Sequence, residues 1–64
     1  MFYAGQRIIV REPASFYYGR EAEVEAAPPG YLKVFIPSLA GGRIEFGLRP
    51  RFAEPVERTP AFAK

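Results

Sequence analysis

Catalysis by a polypeptide needs nucleophiles, general bases or metal ligands, and this chain carries few of them. It contains no His and no Cys. The usual proton shuttle, the thiolate nucleophile and the common zinc, haem and iron–sulfur ligands are therefore missing. Ser15 and Ser38 have no histidine to activate them and sit among turn-forming residues. Several glutamates offer an acid–base pair in principle, but such a pair works inside an apolar cleft that so short a chain has little room to build. Glu21, Glu23 and Glu25 alternate along one segment. Carboxylate metal sites draw ligands from several elements, so three on one strand read as a solvated face. The glycine pair Gly41-Gly42 is followed by no helix that would present its N-terminus to a phosphate. These absences lead to the expectation of a protein that is not an enzyme and holds no cofactor.

What remains is basic and aromatic. Arg43, Arg49 and Arg51 lie close together in sequence, and Arg7, Arg11 and Lys33 can join them across a sheet. An arginine fork pairs with carboxylate and phosphate alike, so an acidic protein and a nucleic-acid backbone are both conceivable partners. The formal net charge of +2 is too small to require nucleic acid. Phe16, Tyr17 and Tyr18 are consecutive and cannot all point inward. One or two of them should cover an open end of the core, leaving the remainder as a surface for a partner.

The elements that must position these residues follow from the two-residue hydrophobic period. Residues 6–11 put Ile8 and Val10 on one face and Arg7, Ile9 and Arg11 on the other. Residues 20–26 place Ala22, Val24 and Ala26 inward and the three glutamates outward. Ala and Glu are good helix formers, but the alternation, with Gly19 before it and Pro28-Pro29 after it, favours a strand. Pro28-Pro29-Gly30 suits a type II turn. Residues 31–36 alternate with Leu32, Val34 and Ile36 inward. A turn containing Gly41-Gly42 leads to residues 43–48, with Ile44, Phe46 and Leu48 inward. Residues 49–52 predict a single 3₁₀-like turn, and 53–57 a short last strand that returns Val56 to the core. Pro55 confines that strand to an edge.

The expected fold is thus all-β: a small SH3-like barrel of about five antiparallel strands spanning 1–57, with a flexible C-terminal tail at 58–64. Its core would hold Ile8, Val10, Val24, Leu32, Val34, Ile36, Ile44, Phe46 and Val56. With 64 residues and no disulfide the stability margin is thin, and six Phe and four Tyr can fill a small core with few side chains. No segment reads as a signal peptide, since Arg7 and Arg11 interrupt the only apolar stretch near the start. The longest uncharged run, 34–42, is about half the length of a helical membrane span.

Residues 5–19, GQRIIVREPASFYYG, resemble the opening of photosystem I subunit IV: a glycine, a basic and β-branched strand, an acidic or proline residue, a serine and an aromatic cluster. The same stretch is similar to the ferredoxin-docking subunit S of the photosynthetic NAD(P)H dehydrogenase complex, where a polar loop ends in a Tyr pair matched here by Tyr17-Tyr18. The later layout of that subunit is echoed by Lys33-Val34-Phe35, Gly41-Gly42, Ile44-Glu45-Phe46 and Glu54-Pro55-Val56. The departures are a missing tryptophan near the Gly-Gly turn and Glu21-Ala22 where that family carries a glycine. The long Asn- and Gly-rich loop of subunit IV is also absent.

The resemblance implies an SH3-like, cofactor-free peripheral subunit within a larger membrane complex. It would sit on the cytoplasmic face of a thylakoid membrane without entering the bilayer, and would position acidic ferredoxin through Arg7, Arg11, Lys33 and Arg43. Charge alone adds Arg49 and Arg51. A KOW-type nucleic-acid-binding domain and an adaptor working through Phe16, Tyr17 and Tyr18 are the competing expectations.

Overall fold

The computed structural model describes residues 1–56. Five strands follow in order: β1 Arg7–Val10, β2 Glu21–Ala26, β3 Leu32–Pro37, β4 Arg43–Leu48 and β5 Ala53–Pro55. A 3₁₀ turn, Pro50–Phe52, joins β4 to β5 at the place expected. Glu57, assigned by sequence to the last strand, and the expected tail at 58–64 lie outside the described residues.

The strands form one antiparallel sheet in the order β4-β3-β2-β1-β5. The first four make a meander, and β5 returns to the far side of β1. The all-β, five-stranded expectation holds. Closure does not: among the described residues no ladder joins β4 to β5, so the sheet stays open along that seam rather than forming a hydrogen-bonded barrel.

The turns explain the register. Gly30 has φ +94° and the Tyr31 N–H reaches the Pro28 carbonyl at 3.4 Å, compatible with the type II turn expected there. Between β3 and β4 the Ser38 N–H donates to the Gly42 carbonyl and the Gly41 N–H to that of Ser38, with Gly41 at φ +98°. This is a three-residue hairpin loop closed by a left-handed glycine. It sets six consecutive β3–β4 pairs, from Pro37 opposite Arg43 to Leu32 opposite Leu48.

One face of the sheet supplies the whole core: Ile8, Val10, Ala22, Val24, Leu32, Val34, Ile36, Leu48 and Ala53 are buried. Three expected core residues differ. Ile44 is 37% exposed and Phe46 half-buried, because β4 is an edge strand with no neighbour to shield its inner face. Val56 is half-buried just past the end of β5. Ala26, expected inward, is exposed. The register between β2 and β3 shifts at Glu25, so Val24 faces Val34 but Ala26 faces Lys33. The extra residue breaks the alternation and bends the strand, as a β-bulge does.

Val34 has no exposed surface and lies on β3, which is paired on both sides. Val34→Ala should lower stability by about 1–3 kcal/mol, a large part of the margin of a domain this size. Urea denaturation followed by circular dichroism measures it through a lower midpoint at unchanged slope.

Candidate docking surface

The loop 11–20 between β1 and β2 is built from short backbone bonds. The Ser15 N–H donates to the Glu12 carbonyl, Tyr18 N–H to that of Ser15, and Arg20 N–H to that of Tyr17. The Ser15 hydroxyl oxygen accepts the Tyr17 N–H at 3.0 Å, so this serine shapes a turn. Gly19, at φ +84°, lets the chain turn back, and its N–H returns to the Val10 carbonyl at 2.7 Å.

This folding separates the three aromatic rings. Tyr17 turns toward the core and stacks on Phe46 of β4, with centroids 4.9 Å apart and planes at 21°. Phe16 stands edge-on to Tyr17 at 5.2 Å and is 91% exposed. Tyr18 points away and meets the Arg11 guanidinium at 5.9 Å. One ring therefore covers the unshielded inner face of β4, and two are left outside.

The loop is bounded on its other side by the 3₁₀ turn. The Arg11 N–H donates to the Phe52 carbonyl at 2.7 Å, and Phe52 packs against the core. The Arg51 guanidinium lies 5.1 Å from the Phe52 ring. One end of the sheet thus gathers Phe16, Tyr17, Tyr18, Phe46 and Phe52 with Arg20, Arg49 and Arg51 nearby in the chain. Among the described residues those three arginines form no ion pair.

The other basic residues fare differently. Arg7 donates to Glu21 at 2.8 Å and lies 3.7 Å from Glu23. Arg11 donates to Glu54 at 2.6 Å. Arg43 donates to Glu45 at 2.7 Å and reaches Glu25 at 3.2 Å, its guanidinium 4.4 Å from the Phe35 ring. The bonds to Glu54 and Glu45 raise the already high pKa of Arg11 and Arg43, so both remain cationic at any ordinary pH. Their charge is answered within the chain. Lys33 stands exposed on the outer face of β3 with no ion pair among the described residues.

The six basic residues singled out in the sequence therefore do not form one patch. Arg7, Lys33 and Arg43 are spread over the outer face of the sheet, mixed with carboxylates, whereas Arg11, Arg49 and Arg51 lie at the loop end. Two contributors were missed. Arg20 follows Gly19 at the mouth of β2, and Phe46 reads as core from its alternation but serves as the platform for Tyr17.

Compared with protein-family models and with characterised protein sequences, the chain matches none. Among the described residues no helix is long and apolar enough to cross a membrane.

The division of labour among the rings is measurable. Tyr17→Ala removes a half-buried stacked ring and should cost about 1–3 kcal/mol, whereas Phe16→Ala should stay within about 0.5 kcal/mol of the parent. Thermal or urea unfolding of the two variants checks this; equal losses would mean that Phe16 is packed as firmly as Tyr17.

Proposed function

We propose that this chain is a non-catalytic docking module that holds an acidic protein at the end of its sheet formed by the 11–20 loop and the 3₁₀ turn. The observation that carries this reading is the Phe16 ring, 91% exposed beside the Tyr17–Phe46 stack. Large exposed aromatic groups are costly to leave in water and are enriched at contact surfaces. Arg20, Arg49 and Arg51 near the same end supply cations that no carboxylate of the described chain answers. An aromatic centre with an arginine rim suits a partner that presents carboxylates around an apolar spot.

An acidic electron carrier of the ferredoxin kind is the partner implied by the resemblance of residues 5–19. A peripheral place on a larger photosynthetic complex, at the cytoplasmic face of its membrane, comes with it. The ion pairs of Arg7, Arg11 and Arg43 move the expected contact away from the outer face. Those three residues retain a structural part: Arg7 joins β1 to β2, Arg11 ties the end of β1 to β5, and Arg43 reaches from β4 across β3 to β2. Single-stranded nucleic acid is the second reading, favoured by exposed rings beside arginines, on which bases stack. Arg7 and Arg43 on the outer face already have Glu21, Glu23, Glu25 and Glu45 as partners, which confines that reading to the loop end.

Chemical-shift mapping against an acidic iron–sulfur ferredoxin and, separately, against single-stranded RNA tests the proposal. With ferredoxin, shifts should concentrate at Phe16, Tyr17, Tyr18, Arg49 and Arg51 and stay small at Arg7 and Arg43. Binding should weaken as ionic strength rises toward about 0.15 M, where the Debye length falls to about 8 Å. Shifts of the same residues by RNA alone would replace the acidic protein with nucleic acid, and shifts centred on Arg7 and Arg43 would return the contact to the outer face.

A further inference from the structure

The two edges of the sheet are not alike. β5 has three residues and ends in Pro55, which has no N–H to offer. That edge is guarded in the way edge strands usually are. β4 has six residues, no proline, and six regular pairs with β3. Its other side meets no strand among the described residues.

The hydrogen-bonding groups on that free side can be assigned. The Ser38–Gly42 bond closes the hairpin, and bonded pairs alternate along an antiparallel ladder. Ile44, Phe46 and Leu48 therefore bond inward to β3, while Arg43, Glu45 and Gly47 direct their N–H and C=O groups outward. The free edge also carries Ile44, an apolar side chain on the inner face that nothing covers completely.

We infer that β4 pairs with β4 of a second copy of this chain, antiparallel, about a two-fold axis at Ile44. In this register Arg43 stands opposite Glu45 of the second copy, and Glu45 opposite its Arg43. Both members of each pair belong to the outward-bonding set, so the backbones exchange hydrogen bonds at the same positions. Ile44 meets Ile44 on the inner face, where each shields the other from water. The sheet then runs through both chains without a break.

Charge selects this register over its neighbours. An axis at Glu45 puts the two Glu45 side chains directly opposite one another, and an axis at Arg43 does the same with arginines. An axis at Phe46 sets Arg43 against Arg49 of the second copy and reaches Pro50, which cannot donate. Like charges directly opposite across strands are destabilising and opposite charges stabilising. Only the axis at Ile44 gives opposite charges in both flanking pairs and like charges in neither.

Sedimentation equilibrium of the full chain over a wide concentration range tests this, together with Glu45→Arg and Ile44→Lys. Both variants keep Arg43 and its contact with Glu25, and both alter exposed positions. The parent should show a monomer–dimer equilibrium. Each variant should weaken dimerisation at least roughly tenfold, since Glu45→Arg sets like charges opposite one another in two pairs and Ile44→Lys sets them opposite one another on the axis itself. In parallel, the amide protons of Arg43 and Glu45 should exchange more slowly as the parent is concentrated, while that of Glu54, already bonded inward to β1 at the opposite edge, should not change. A parent that stays monomeric at millimolar concentration, or a dimer that either variant leaves unchanged, overturns the inference. So do unchanged exchange rates at Arg43 and Glu45 in a parent that dimerises.

Discussion

A single sheet has to supply every wall of this protein's core. No second layer covers it among the described residues, so inward side chains from one end of the sheet must meet those from the other. Ile8 and Val10 near one edge, and Leu32, Val34 and Ile36 near the other, lose almost all contact with water only because the sheet curls. Curling demands local irregularity in an otherwise regular ladder. The bulge at Glu25 provides it in β2, the strand through which the meander passes from one half of the curl to the other. The apolar effect drives the curl, and the bulge makes it geometrically affordable.

The same curl explains where the unusual surface lies. An open seam between β4 and β5 leaves the inner face of β4 short of cover, and Tyr17 is brought in from a loop to stack on Phe46. Filling that gap from a loop leaves its neighbours Phe16 and Tyr18 outside. The exposed rings are thus a by-product of how the core is finished, and a docking site there needs no additional architecture. The outer face tells a different story. Its arginines bridge strands: Arg7 joins β1 to β2, and Arg43 reaches from β4 across Phe35 to Glu25. Exposed pairs of this kind add little to stability, but they neutralise the face and keep it unattractive to strongly charged partners.

How far the sequence alone reaches depends on how local each feature is. The strands are legible because period-two alternation is a short-range signal, and β4 is placed at its observed limits by Gly42 before it and the Arg49-Pro50 pair after it. The turns at Gly30 and Gly41 are legible because positive φ selects glycine. The exposure of Ile44 is not, since nothing in Arg43-Ile44-Glu45-Phe46 says that its strand lies at an edge. The bulge is hidden as well: Ala22-Glu23-Val24-Glu25-Ala26 alternates without a flaw, and only pairing with β3 reveals the extra residue. The ion pairs are the least legible. Arg7 and Glu21 are 14 positions apart and Arg11 and Glu54 are 43 apart, so their partnership depends on register across three strands. A basic patch inferred from residue types therefore contained charges already spoken for.

The meeting of Val56 with Arg7 has a mechanical consequence. The Val56 N–H donates to the Arg7 carbonyl at 3.0 Å, so the end of β5 lies beside the start of β1, its antiparallel neighbour. Tension applied between those two points loads the β1–β5 ladder from one end, one bond after another, as a zip is opened. Tension along opposed strand ends would instead strain all the bonds of a ladder at once. β5 is only three residues long and is the weak member under such a load, while the bonds from the Gly5 N–H to the Val24 carbonyl and from the Val24 N–H to the Gln6 carbonyl extend the β1–β2 ladder ahead of Arg7 and hold β1 to the meander. A tether on each side of this domain would therefore peel off the last strand first, uncovering Ala53 and the edge of β1, before it disturbed the sheet behind them.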